Sequence, residues 1–169
     1  MSLHDEFIMN VSPTWGADWA WGLPLILVTV LFHVFGLSQM RERALLAFEQ
    51  IGQHIHRSLA FVAIVGATTL SATILHAVEA SLWAIAYRSL GAFPDYRMAM
   101  LYSLNAITSY GHTNLNLEEH WHLMGALESL NGWLLFGLTT AFLFAVIEKL
   151  WSVDSKRERR SLLKSNRDR

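Results

Sequence analysis

The chain of 169 residues contains no cysteine. Disulfides and thiolate metal sites are therefore excluded, and the redox compartment stays open. Charge is scarce as well. Asp, Glu, Lys and Arg make up 16% of the residues, where a soluble domain carries about a quarter. Only three prolines interrupt the chain. What fills the space is apolar: 53% of residues are hydrophobic, with seven Trp and nine Phe. This balance points to an integral membrane protein. The first 18 residues hold Asp5, Glu6 and Asp18 and no Lys or Arg, which does not fit the basic n-region of a secretory leader.

Three stretches reach membrane length. Residues 19–37 (WAWGLPLILVTVLFHVFGL) span roughly 28 Å at about 1.5 Å rise per residue, close to the thickness of a hydrocarbon core. Pro24 is expected in the first turns of that helix, where a missing N–H is best tolerated. Residues 59–90 and 123–151 are long enough to cross with tilt. Tryptophans fall mostly near the ends of these runs, the pattern of interfacial anchors.

Orientation follows from Lys and Arg. Arg41, Arg43 and Arg57 lie between the first and second runs, and eight basic residues from Lys149 to Arg169 follow the third. Only Arg88 and Arg97 lie between the second and third. Positive charge collects on the cytoplasmic side, so the N-terminus is expected outside and the C-terminus inside. The expected location is a bacterial inner membrane. The stretch RERALLAFEQIGQHIHRSL has apolar Leu45, Phe48, Ile51, Ile55 and Leu59 at helical spacing. It is expected as an amphipathic helix on the inner membrane surface. The tail SKRERRSLLKSNRDR is expected to be solvated or to touch anionic lipid. No nucleic-acid partner is expected.

Between the second and third runs lies a different kind of sequence. Gly91, Pro94 and Asp95 break the second run. YRMAMLYSLNAITS is apolar and helix-compatible for about three turns, too short to cross a bilayer. A polar loop, SYGHTNLNLEEHWH, follows. Irregular backbone at membrane depth survives only where it is buried or lines water. The pattern reads as a re-entrant pore helix and filter loop, giving an all-α protein with three transmembrane helices and one pore loop per subunit.

Over residues 75–150 the sequence resembles the two-transmembrane pore module of tetrameric potassium-type ion channels. AMLYSLNAITSYGHTNL resembles the pore helix and filter, which in that family end in T-T-V-G-Y-G-D. MGALESLNGWLLFGLTTAFLF resembles the inner helix, and ILHAVEASLWAIAYRSLGAFPD the outer helix and turret. In an ungapped match Thr108 and Ser109 take the threonine positions, Tyr110 the valine and Gly111 the first glycine. His112 then replaces tyrosine, Thr113 the second glycine and Asn114 the aspartate. A second alignment sets Tyr110 and Gly111 on the family's Tyr–Gly.

The resemblance implies a homotetramer in the lipid bilayer that passes a monovalent cation, K+, down its gradient without chemistry. Thr108, Ser109, Tyr110, Gly111, His112 and Thr113 would form the ion filter. Backbone carbonyls that replace an ion's hydration shell need angles that a Cβ resists, so Thr113 implies weaker selectivity than a T-V-G-Y-G filter. His112 stands where the family has a tyrosine strut, and acidification is expected to reduce conductance there. Asn114 and Glu128 would support the filter, and Gly132 and Gly137 would serve as hinge or packing points. The implied division is an extracytoplasmic segment (1–18), a peripheral transmembrane helix (19–38), a connector (39–57), the pore module (58–151) and a basic cytoplasmic tail (152–169).

Histidines supply the remaining signals. His76 and Glu79 are three apart and share a helix face. They are expected as a bonded pair bracing the pore helix, with a metal or proton-relay role as the sharper alternative. His54 with His56, and His120 with His122, sit two apart on diverging faces, and no metal site is expected. Two rival readings differ in class: a haem or metal redox protein using His33, His76 and His112, and a non-conducting pore-like membrane protein.

Overall fold

A computed structural model of the chain describes residues 15–52, 56–111, 115, 117 and 121–167. These residues form four helices and no strand. α1 spans Trp15–Ile51, α2 Arg57–Ser89, α3 Tyr96–Ile107 and α4 His122–Arg167. Three of them, α1, α2 and the His122–Val153 part of α4, are long and apolar enough to cross a membrane. The described fold is therefore all-helical and membrane-compatible.

Three boundaries differ from those expected from the sequence: both ends of α1 and the end of α4. α1 runs unbroken for 37 residues, roughly 55 Å of helix. The stretch expected as a separate surface helix thus continues α1 as far as Ile51. A start at Trp15 also moves Pro24 from the first turns into the helix interior. There the missing N–H leaves the Ala20 carbonyl without its usual helical donor, a defect that membrane helices tolerate. α4 likewise continues through the basic tail to Arg167.

The chain divides into two compact units. The first comprises Met1–His33 with His76–Phe136, and the second Val34–Leu75 with Gly137–Arg169. The core of the first unit is aromatic, built on Trp83, Tyr87, Phe93, Tyr102, Met124 and Leu127. Tyr87 meets Tyr102 edge-on at 5.3 Å and 83°, and Phe93 at 6.2 Å and 88°. Such T-shaped pairs add directional attraction to the buried area. The second unit packs Ala44, Phe48, Ala60, Ile64, Val146 and Leu150. Phe61 stacks on Trp151 at 6.0 Å, and the Arg57 guanidinium lies 5.6 Å from the Phe48 ring centre.

Large apolar side chains remain on the outside of all three long helices, among them Leu31, Phe35, Val62, Ile74, Leu134 and Phe144. In water such a surface is a liability, whereas in lipid it is the required one. Hydroxyls in these helices turn back on their own backbone. Thr68, Thr69, Ser71 and Thr73 each donate to the carbonyl four residues earlier, at 2.7 to 3.1 Å.

Candidate functional site

The short helix α3 is fixed at both ends by local rules. Before it, Gly91 adopts φ +76°, a left-handed turn that favours glycine. Asp95 then caps the start by accepting from the Met98 N–H at 2.9 Å. The helix buries Ala99, Tyr102, Ser103, Ala106 and Ile107. Those positions recur at three- and four-residue intervals, so they make one face.

That face is bound to α2 and α4 by polar contacts. Ser103 Oγ donates to the Ala80 carbonyl at 2.7 Å and is also hydrogen-bonded to the Glu128 carboxyl. One hydroxyl proton cannot serve both acceptors at once unless Glu128 itself holds a proton. The Tyr87 hydroxyl donates to the second oxygen of Glu128 at 2.8 Å. Burial and the neighbouring Glu128 push the Tyr102 phenol well above its ordinary range. Ser129 Oγ donates to the Ala106 carbonyl at 2.9 Å. Gly132 lies so close to the end of α3 that an added Cβ would collide with the Ile107 carbonyl. Gly132 is thus a close-packing glycine, while an added Cβ at Gly137 meets nothing within 4 Å.

α3 ends in two capping bonds. Ser109 N–H donates to the Ala106 carbonyl at 2.9 Å and Tyr110 N–H to the Asn105 carbonyl at 3.0 Å. This is the Schellman arrangement, which calls for a left-handed residue just past the helix. Ser109 supplies it with φ +53°, and Gly111 follows at φ +90°. A serine there is less comfortable than a glycine. The Trp133 indole N–H compensates by donating to Ser109 Oγ at 3.1 Å. Thr108 Oγ1 donates back to the Leu104 carbonyl at 2.6 Å, so its proton is used within the helix end. Tyr110 is 85% exposed.

Of the residues expected in the filter, Thr108, Ser109, Tyr110 and Gly111 fall on this exit from α3. His112, Thr113 and Asn114 lie outside the described residues, as do His54 and His120. The expected supporting residue Glu128 meets the buried face of α3. His76 and Glu79 lie elsewhere in the first unit. His33 Nδ1 is 2.7 Å from Glu79 Oε1, and His76 Nδ1 is 3.2 Å from Glu79 Oε2. The His33–Glu79 contact joins α1 to α2.

Several members of the site gave little signal in the sequence. Asn131 is fully buried and donates to Thr29 Oγ1 at 2.8 Å, joining α4 to α1. Gly125 faces Tyr102, whose hydroxyl an added Cβ would strike. His122 Nε2 lies 2.7 Å from the Leu117 carbonyl and holds the end of the loop to the start of α4. Asn131 could have been found as a polar residue inside an apolar run, the usual mark of a helix–helix hydrogen bond.

The described fold and site define an all-helical, membrane-compatible protein with a short helix packed among longer ones. No family model matches the chain, and no curated protein and no solved structure matches it either.

Proposed function

We propose that the chain is the pore-forming subunit of a homotetrameric cation channel that conducts a monovalent cation, K+, with relaxed selectivity. The observation that carries this reading is the support given to residues 108–111. A 12-residue helix too short to cross a bilayer is anchored through a buried carboxyl and a packing glycine. It releases its chain through two left-handed residues, Ser109 and Gly111. An exposed Tyr110 and an indole bonded to the loop stand at the same place. Irregular backbone held this firmly beside an apolar scaffold suits a loop that lines water.

One loop cannot enclose an axis, so four chains are required. Trp133 is 71% exposed in the single chain and bonded to the loop, which suits an interface between subunits. The N-terminus is proposed outside and the C-terminus in the cytoplasm of a bacterial cell, with the basic tail near anionic lipid.

The experiment is a potassium-flux assay on lipid vesicles, with native mass measured on the same preparation. The proposal expects a tetramer and potassium uptake that Gly111→Ala abolishes, since alanine resists φ +90°. A stable monomer or dimer, or uptake equal to that of protein-free vesicles, would remove the channel reading.

A further inference from the structure

We propose that His33, His76 and Glu79 form a binding site for a divalent transition-metal ion of the zinc class, separate from the 108–111 loop. Two imidazoles and one carboxylate are brought together from α1 and α2. Their candidate ligand atoms all lie within 4.8 Å of one another. His33 Nδ1 stands 2.7 Å from Glu79 Oε1, and His76 Nδ1 stands 3.2 Å from Glu79 Oε2. A tetrahedral ion with bonds of about 2.0–2.2 Å holds its ligands roughly 3.3–3.6 Å apart. The His76–Glu79 pair is already near that spacing. The His33–Glu79 pair must open by several tenths of an ångström, which is the exchange of a bridging proton for a metal ion.

The framework suits such a site. His76 and Glu79 are three residues apart on one helix, and carboxylate–histidine pairs at this spacing build metal sites inside helical bundles. His33 comes from the facing helix, and its ring lies 5.1 Å from that of His76. Phe136 covers His76 at 4.6 Å and makes a dry wall. The side chains of His33 and Glu79 have no exposure, while that of His76 keeps 13%, so an ion would enter past His76.

Electrostatics favours the same occupant. A carboxylate within an apolar span is costly and needs compensation. The carboxylate of Glu79 has one hydrogen-bonded imidazole, His33, at 2.7 Å. A divalent ion neutralises the carboxylate and uses both imidazole lone pairs. The donor set of nitrogen and oxygen without sulfur fits the zinc class rather than a soft monovalent ion.

This site does not depend on whether the chain conducts. The test uses the full-length protein without a polyhistidine tag, purified in detergent and stripped with a chelator. Co2+ is titrated and its visible d–d absorption followed, then Zn2+ is added in competition. The proposal expects one Co2+ per chain, bleaching of the band by Zn2+, and affinity weakened at least about tenfold by His76→Ala and by His33→Ala. His56→Ala, an exposed histidine outside the cluster, should bind as the natural protein does. Zn2+ should raise the thermal midpoint of the natural protein and leave that of His76→Ala unchanged. His76 is the least buried of the three, so its variant guards against loss of fold in His33→Ala. No band, or a band of equal strength in both cluster variants, would overturn the proposal and leave a proton-bridged group.

Discussion

The two units of the chain are held by different forces. In the unit of Met1–His33 and His76–Phe136, the buried residues include Asp18, Thr29, His33, Glu79, Ser103, Glu128 and Asn131. In the unit of Val34–Leu75 and Gly137–Arg169, the buried polar residues among those described are Thr68 and Thr139. Every buried charged or imidazole side chain among the described residues falls in the first unit. Lipid tails offer no hydrophobic drive between helices, so membrane helices associate by close packing and by interhelical hydrogen bonds. The second unit buries fewer polar side chains among the described residues. The first adds a buried polar network, which fixes orientation because each bond admits few geometries. That is the demand the proposed filter loop would make on its surroundings.

The comparison can be broken by substitution, with stability read from unfolding in mixed detergent. The largest effect is expected at Gly132→Val. Its side chain meets the Ile107 backbone, which cannot move aside without displacing α3. Overpacking of about 3 kcal/mol or more is expected, together with loss of the assembled form. Recovery of a normal assembly would show that α3 does not depend on this contact.

Glu128→Ala comes next. It leaves Ser103 and Tyr87 without their shared partner, at about 2–4 kcal/mol. Glu128→Gln keeps one acceptor and should cost less than half as much. Equal losses would mean that volume, not hydrogen bonding, sets the role of Glu128.

The apolar unit gives a contrasting case in Phe48→Ala. Phe48 is 2% exposed within a packed cluster, so a cavity cost of about 3 kcal/mol is expected. If the proposed channel function holds, ion flux per folded protein should stay unchanged in Phe48→Ala, whereas Glu128→Gln should alter it. A flux change in Phe48→Ala alone would reverse the assignment of the two units.

Smaller effects complete the series. Asn131→Leu removes one interhelical bond to Thr29, worth about 1 kcal/mol in a membrane protein. Thr68→Val removes only a bond to its own helix. Less than about 0.5 kcal/mol is expected there, and a larger loss would reveal a partner for Thr68 beyond Ile64.

The sequence made the long helices legible because apolar runs of membrane length have few alternatives. It also located α3, since Gly91, Pro94 and Asp95 break the second run and the apolar stretch that follows is too short to cross; the capping role of Asp95 was not read from it. It did not show where α1 ends. The amphipathic spacing of Leu45, Phe48 and Ile51 fits a surface helix as well as a helix that simply continues, and only the tertiary partners of Phe48 decide. Glu128 was legible as an acidic residue in an apolar run, but its partners Ser103 and Tyr87 were not, because serine and tyrosine are ordinary in such helices. The meeting of His33 with His76 and Glu79 was hidden for a similar reason. His33 and Glu79 are separated by 46 residues, and no periodicity links two helices.

The central claim is that the polar unit holds a conducting loop. The most direct test is single-channel recording of the reconstituted protein under potassium–sodium bi-ionic conditions. The account predicts discrete cation steps, with a reversal potential that favours potassium by less than a T-V-G-Y-G filter gives. Silent bilayers containing correctly assembled tetramers, or steps carried by anions, would contradict it.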